Sequence, residues 1–216
     1  MSKGKFITFE GGEGSGKSTQ LTQLVQWLAQ QGVDVLRTRE PGGAPSAEII
    51  RKLLVEGDTD RWQPITEILL HYSARAEHLA HAVLPAIDAG KWVLSDRFAD
   101  STSAYQGYGH GFDQEIIAQI HKATVGDLAP DLTLVLDISV ETGLKRAHAR
   151  QQDANHGEDR YERMGQGFHD RVRAGFLDIA TKDSDRCKVI DAEQDMDTVF
   201  SDVKSAVEAQ LGAFLP

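Results

Sequence analysis

Positive charge, cysteine and long apolar runs are all scarce in this chain. Its 216 residues hold 23 lysines and arginines against 33 aspartates and glutamates, a formal net charge of -10. Nucleic-acid binders rely on a basic surface that neutralises many phosphates, so a nucleic-acid partner is excluded. A phosphorylated ligand must instead be small and met by a local cluster of cations. The one cysteine, Cys187, has no partner for an internal disulfide and is read as a core residue. No uninterrupted apolar stretch approaches the roughly 20 residues that cross a bilayer, and no signal-like segment precedes the first apolar run. A membrane partner is not expected, and a cytoplasmic location is. No proline- or serine-rich linker divides the chain, so a single domain over 1–216 is expected. The Asn-Lys-x-Asp motif that GTPase switches use to read guanine is also missing, and no histidines show trustworthy metal-ligand spacing.

What the chain does have is Gly11-Gly12-Glu13-Gly14-Ser15-Gly16-Lys17-Ser18, which fits the phosphate-loop template. Glycines let a backbone wrap with its N–H groups pointing inward on phosphate oxygens. Lys17 adds a point charge, and the Ser18 hydroxyl can ligate magnesium. Context supports the match: the β-branched and aromatic run Lys5 to Phe9 precedes the loop, and Leu21, Leu24, Val25 and Leu28 mark one face of a helix after it. Strand, glycine loop and helix together predict a bound nucleoside triphosphate.

Apolar runs at 5–9, 33–38, 91–95, 132–138 and 187–190 read as strands, alternating with helical patterns at about 17–31, 46–55, 64–89, 113–125, 140–150, 163–182 and 196–211. Alternation of this kind predicts an α/β protein with a five-stranded parallel sheet and helices on both faces. The third and fourth strands are the most hydrophobic and are expected at its centre. Sheets of this class bind ligands beyond the carboxyl ends of their strands, where the glycine loop, Arg39 to Gly43, Asp96-Arg97 and Asp137 all fall. The polar stretch 151–159, flanked by Lys145, Arg146, Arg150, Arg160 and Arg163, reads as a mobile flap.

Taken in order and spacing, the phosphate loop, Arg39-Glu40-Pro41-Gly42-Gly43, Asp96-Arg97-Phe98 and Ser101-Thr102-Ser103-Ala104-Tyr105-Gln106-Gly107 resemble bacterial thymidylate kinase. The resemblance covers nearly the whole chain. It implies the P-loop nucleoside-monophosphate-kinase fold, a lid at about 146–162, a homodimer, and transfer of the γ-phosphoryl group of ATP to dTMP with Mg2+. A kinase for another monophosphate such as dUMP, or a nucleotide-binding regulator without turnover, are the alternatives.

The resemblance also implies roles for individual residues. Residues Gly11, Gly12, Glu13, Gly14, Ser15, Gly16, Lys17, Ser18 and Thr19 would hold ATP, with Ser18 on the metal. Arg97 would grip the acceptor phosphate through its bidentate guanidinium. Arg51 either reaches the same phosphate or is an exposed helical arginine. Arg75 matches the arginine that bonds the thymine carbonyl, four residues after the aromatic that stacks on the base. Here the chain departs from its relatives, with His71 in place of phenylalanine: either the imidazole stacks on the base and brings a titratable group into the pocket, or His71 lies on the helix face and Tyr72 serves instead. Thr102 and Gln106 match base contacts, and Tyr105 either lies under the deoxyribose or is a core aromatic. Glu13 and Glu40 would face the acceptor sugar. Because Gly14 and Ser15 put no arginine in the loop, the catalytic arginine is expected in the lid, with Arg150 first and Arg146 and Arg160 behind it. Arg146 could instead cover the adenine. Asp137 either tunes water near the metal or is structural.

Overall fold

The computed structural model describes residues 3–153 and 159–215, the side chains of 150–153 excepted. Five strands form one parallel sheet: β1 (Phe6–Glu10), β2 (Val35–Arg39), β3 (Trp92–Asp96), β4 (Leu132–Asp137) and β5 (Cys187–Asp191), in the order β2-β3-β1-β4-β5. β1 therefore holds the centre, with β3 and β4 beside it, and all five of its residues are buried. Hydrophobicity marked β3 and β4 as interior strands but does not rank them above β1, whose Thr8 and Glu10 lower its apolar count while still pointing inward.

Alternation along the strands divides the core in two. Ile7 and Phe9 of β1, Leu94 of β3, and Leu132, Leu134 and Leu136 of β4 pack on α1 (Lys17–Gln30) and α9 (Met196–Leu211). Their neighbours Phe6, Val93 and Val135 face the other side. Parallel strands buried on both faces explain the near-continuous apolar runs. Shortening Leu134 to alanine there would cost about 2–5 kcal/mol.

Between β2 and β3 lie α2 (Pro45–Val55) and α3 (Pro64–His78), which continues through a π-helical turn, Leu79–Val83, into α4 (Leu84–Asp88). The single helix expected over 64–89 is thus interrupted just before Pro85, whose ring crowds the carbonyl one turn back and whose nitrogen cannot donate. After β3 the chain forms the short α5 (Ala99–Thr102), a π-helical stretch Ser103–Gly109 and α6 (Gln114–Thr124). The stretch through 109 was not expected to be helical, because Gly107 and Gly109 weaken the pattern. Gly109 is needed for packing: a Cβ there would lie 2.6 Å from the Phe168 ring. After β4 come α7 (Val140–Asp153) and α8 (Gln166–Lys182), the latter against β4, β5 and the 103–109 stretch.

Candidate active site

The carboxyl ends of β1, β2 and β3 deliver their loops to one cavity of about 440 Å³. Glu13, Glu40, Arg51, His71, Arg75, Arg97, Thr102, Tyr105 and Gln106 all line it, with Gly14 to Thr19 along one side. Residues from positions 13 to 106 meet there because the loops after three adjacent strands open on the same sheet edge.

At the loop, Lys17 folds back to donate to the carbonyls of Gly11 and Gly12 at 3.1 and 2.8 Å and to Ser15 Oγ at 3.2 Å. Burial and the nearby Arg97 pull its ammonium down to about 8. The Ser18 hydroxyl donates to Asp96 Oδ2 at 2.6 Å, so two hard oxygen donors stand side by side at the helix start. Gly14 has φ +66°, and a Cβ there would sit 2.0 Å from the Gly143 carbonyl oxygen of α7. The loop position is closed to any side chain, an arginine included.

Arg97 holds the centre. Its backbone is left-handed at φ 74°, and it is the only non-glycine with positive φ among the described residues. From there it donates to the Gly11 carbonyl and Glu13 Oε1 at 3.0 Å each, to Ser101 Oγ at 3.1 Å and to the Tyr105 hydroxyl at 3.0 Å. Beneath it, the buried Glu10 accepts from the Phe98 amide at 2.7 Å and from Ser101 Oγ at 2.5 Å. Burial and the neighbouring Asp100 push the Glu10 carboxyl well up, to about 8. Asp137 at the end of β4 forms a bidentate pair with Arg173 at 2.7 and 2.8 Å, which places it in a structural tie beside the loop.

A second cluster lies deeper. Glu40 takes Arg75 Nε at 2.7 Å and His78 Nδ1 at 3.0 Å. Burial would raise this carboxyl, but the Arg75 charge and the His78 hydrogen bond hold it below the ordinary range. Because Glu40 accepts, His78 donates from Nδ1 and takes the Thr38 hydroxyl on Nε2 at 2.6 Å. Each Glu40 oxygen takes one bond from α3, so in this structure Glu40 orients Arg75 while still lining the cavity. Arg75 NH2 donates to the Phe98 carbonyl and Thr102 Oγ1 at 3.1 Å each, leaving NH1 buried without a partner among the described residues.

His71 lies beside Tyr161, its Nε2 3.0 Å from the hydroxyl. Tyr161 already donates to Glu67 Oε1 at 3.0 Å, so the histidine is the donor in that pair. Burial drives the His71 ring down to about 4, which leaves it neutral at physiological pH.

Of the expected lid cations, Arg146 and Arg160 do not line the cavity. Arg160 is 1% exposed; its nitrogens donate to the carbonyls of Leu54, Asp58 and Thr59 and to Glu67 Oε2 at 2.5 Å. With all three nitrogens occupied by protein oxygens, it is a structural rivet rather than a catalytic reserve. Arg146 is exposed and donates to the Ala192 carbonyl at 3.1 Å, next to β5. The Arg150 side chain, and residues 154–158 of the expected lid, lie outside the described residues. Glu67, Tyr161, His78 and Glu10 carry the site without having been singled out. For the first and third a signal existed: Glu67, His71, Arg75 and His78 fall at helical spacing along one side of α3.

Comparisons with known proteins agree with one another. The family model for thymidylate kinase matches residues 9–203. A thymidylate kinase of Caulobacter vibrioides is 49% identical over 212 residues, covering 98% of this chain and 100% of that protein. One from Ruegeria pomeroyi is 49% identical over 208 residues, 96% of each chain. The crystal structure of thymidylate kinase from Ehrlichia chaffeensis superposes with a TM-score of 0.76 at 36% identity, covering 95% of this chain and 99% of that one.

Proposed function

The chain belongs to the thymidylate kinase family, and from that premise we propose how its residues divide the transfer of a phosphoryl group between two nucleotides. It is a dTMP kinase on the P-loop nucleoside-monophosphate-kinase fold, making dTDP from dTMP for dTTP synthesis with ATP as donor. The observation that carries the assignment of roles is the continuity of one cavity from Lys17 and Ser18, through Arg97, to Arg75 and Gln106.

The nucleophile is an oxygen of the dTMP phosphate. It is already anionic, so no general base is needed, and catalysis rests on positioning and charge neutralisation. Lys17 leaves its loop carbonyls for the β- and γ-phosphates, which the loop amides surround. Arg97, preset by its left-handed backbone, turns a guanidinium edge to the acceptor phosphate, with Arg51 alongside. Glu13 takes the sugar hydroxyl, and the Tyr105 ring lies under the sugar. Arg75, Thr102, Gln106 and His71 receive the base. Ser18 and Asp96 fit Mg2+, a hard cation that keeps few protein ligands when phosphates supply the rest; when bound it neutralises triphosphate charge. Among the described residues no cluster of three or more histidine, cysteine, aspartate or glutamate side chains suits a metal, in keeping with a site completed by the nucleotide.

Arg150 brings the transition-state charge from a lid at about 146–162, and Arg146, beside Ala192, covers the adenine. We read the chain as one domain over 1–216, cytoplasmic, and a homodimer. Exposed Ile49 and Leu53 of α2 and Leu69 of α3 offer the apolar surface for pairing. No helix among the described residues is long and apolar enough to cross a membrane. A coupled ADP-release assay over dTMP, dUMP, dCMP and purine monophosphates, with ATP and Mg2+ fixed, tests the reading. Turnover should be highest on dTMP; no turnover on dTMP overturns it.

A further inference from the structure

α3 carries one buried carboxylate that phosphoryl transfer does not use. Glu67 is 1% exposed and accepts from Gln106 Nε2 at 2.7 Å, the Tyr161 hydroxyl at 3.0 Å and Arg160 NH2 at 2.5 Å. His110 Nε2 stands 3.7 Å from the same carboxylate, and His71 reaches it through Tyr161. Burial would raise Glu67, but its interaction with the neighbouring His71, the permanent charge of Arg160 and the Gln106 donor hold it below the ordinary range. It is therefore ionised and can only accept.

A glutamine amide can turn over, and whichever end is held decides which end faces a ligand. Glu67 takes the Nε2 end of Gln106. Oε1 is left buried without a partner among the described residues, on a side chain that lines the cavity. Glu40 does the equivalent for Arg75, taking Nε and leaving NH1 buried without a partner among the described residues. Gln106 and Arg75 both line the cavity, and each keeps one polar atom, an acceptor and a donor, that no described protein group holds.

We propose that Glu67 is a positioning residue that sets the hydrogen-bond polarity of the nucleobase pocket by holding the Gln106 amide with its oxygen toward the base. The inference rests on the acceptor-nucleotide reading above. An acceptor beside a donor suits an N–H next to a C=O, the imide edge of thymine or uracil. Cytosine presents the reverse, a bare ring nitrogen beside an amine, and would leave two buried groups of the pocket facing their own kind. Sites that strand buried polar groups in this way discriminate strongly. The thymine methyl plays no part in this reading, so dUMP and dTMP share the same polarity.

Steady-state kinetics and calorimetric titration with dTMP and dCMP test the proposal on the full chain. In Glu67→Gln the partner can donate as well as accept, so the Gln106 amide is free to turn. KM for dTMP is expected to rise about tenfold or more with kcat within about threefold, and the dTMP-to-dCMP ratio of kcat/KM to fall at least about tenfold. Glu67→Asp keeps an acceptor-only group and should hold the ratio within about threefold of wild type. In a Gln106→Met background, Glu67→Gln should shift the ratio no further. An unchanged ratio in Glu67→Gln, or an equal fall in the Gln106→Met background, overturns the proposal. If Glu67→Gln does not fold, nuclear Overhauser contacts in the wild-type dTMP complex decide it: Gln106 NH2 protons near the Tyr161 ring support it, and near the thymine imide proton overturn it. Wild-type protein inactive on dTMP would instead sink the functional reading.

Discussion

Glu13 and Tyr105 are joined by a 2.7 Å hydrogen bond within the loop cavity, and the same carboxylate oxygen takes Arg97 at 3.0 Å. Burial would raise the Glu13 carboxyl, yet Arg97 and Lys17 hold it at about 2, so it is ionised across the working range. Glu13→Gln should lower kcat/KM for dTMP about 10- to 100-fold, the loss of one hydrogen bond to a charged group. The pH–rate profiles of the two proteins should run parallel from pH 5 to 9. An acid limb present in wild type and absent in Glu13→Gln would contradict this assignment.

Lys17 titrates near the working range because its ammonium is buried beside Arg97. A triphosphate needs the charged form, which dominates below about 8. ATP affinity should therefore be full below that pH and weaken above it, by up to about tenfold per pH unit. Calorimetric titration between pH 6.5 and 9.5 would show the slope, and Lys17→Met should abolish it along with most of the affinity.

The two lid-region arginines should separate cleanly. Arg160→Met removes one partner of a buried ion pair and should cost about 3–5 kcal/mol of stability in denaturant melts. Arg150→Met should leave the melt nearly unchanged and lower kcat about 10³-fold or more, as for other arginines that neutralise transferring phosphoryl groups. Matching stability losses in both variants would remove Arg150 from catalysis.

His71 links the base pocket to acid stability. Its folded value of about 4 lies below the ordinary 6.5, so its neutral form is the folded form. Stability is complete above pH 6.5 and is lost as pH falls through that value toward 4. His71→Phe should remove this component, making the decline in melting temperature between pH 6.5 and 4.5 shallower by a few degrees or about that. His110, His121 and His169 are also lowered by burial and will keep part of the slope.

Leu69 is 50% exposed on α3 and Ile49 is 69% exposed on α2. If these faces pair, Leu69→Glu or Ile49→Glu should convert the protein from dimer to monomer in light scattering at about 10 μM, since a charge at an apolar interface is left desolvated and unpaired.

Much of the fold could be read directly. All five strands fall within two residues of their expected bounds; burial on both faces makes β1, β3 and β4 compact apolar runs, while the edge strands β2 and β5 are part-exposed. The order was harder, since Thr8 and Glu10 disguise the central strand; they form polar contacts with Thr133, Ser101 and Phe98 that only the assembled sheet supplies. The cavity residues were legible through resemblance and through position at strand ends. The buried ties of Glu40 and Arg160 were hidden for one reason. A charged residue in a conspicuous loop looks available to a ligand, and its burial against Arg75 or Glu67 depends on partners 35 and 93 positions away. Tyr161 offered no sequence signal at all.

That spacing also bears on how the chain acquires its specificity as it is made. Glu67 meets Gln106 across 39 residues and Arg160 across 93, so the nucleobase pocket cannot be completed until the chain beyond β4 has been synthesised. Until then a carboxylate destined for the interior lacks its guanidinium. A nascent chain ending before residue 160 should therefore hold its first four strands loosely and bind no dTMP, with selective binding appearing only when the C-terminal quarter of the chain docks.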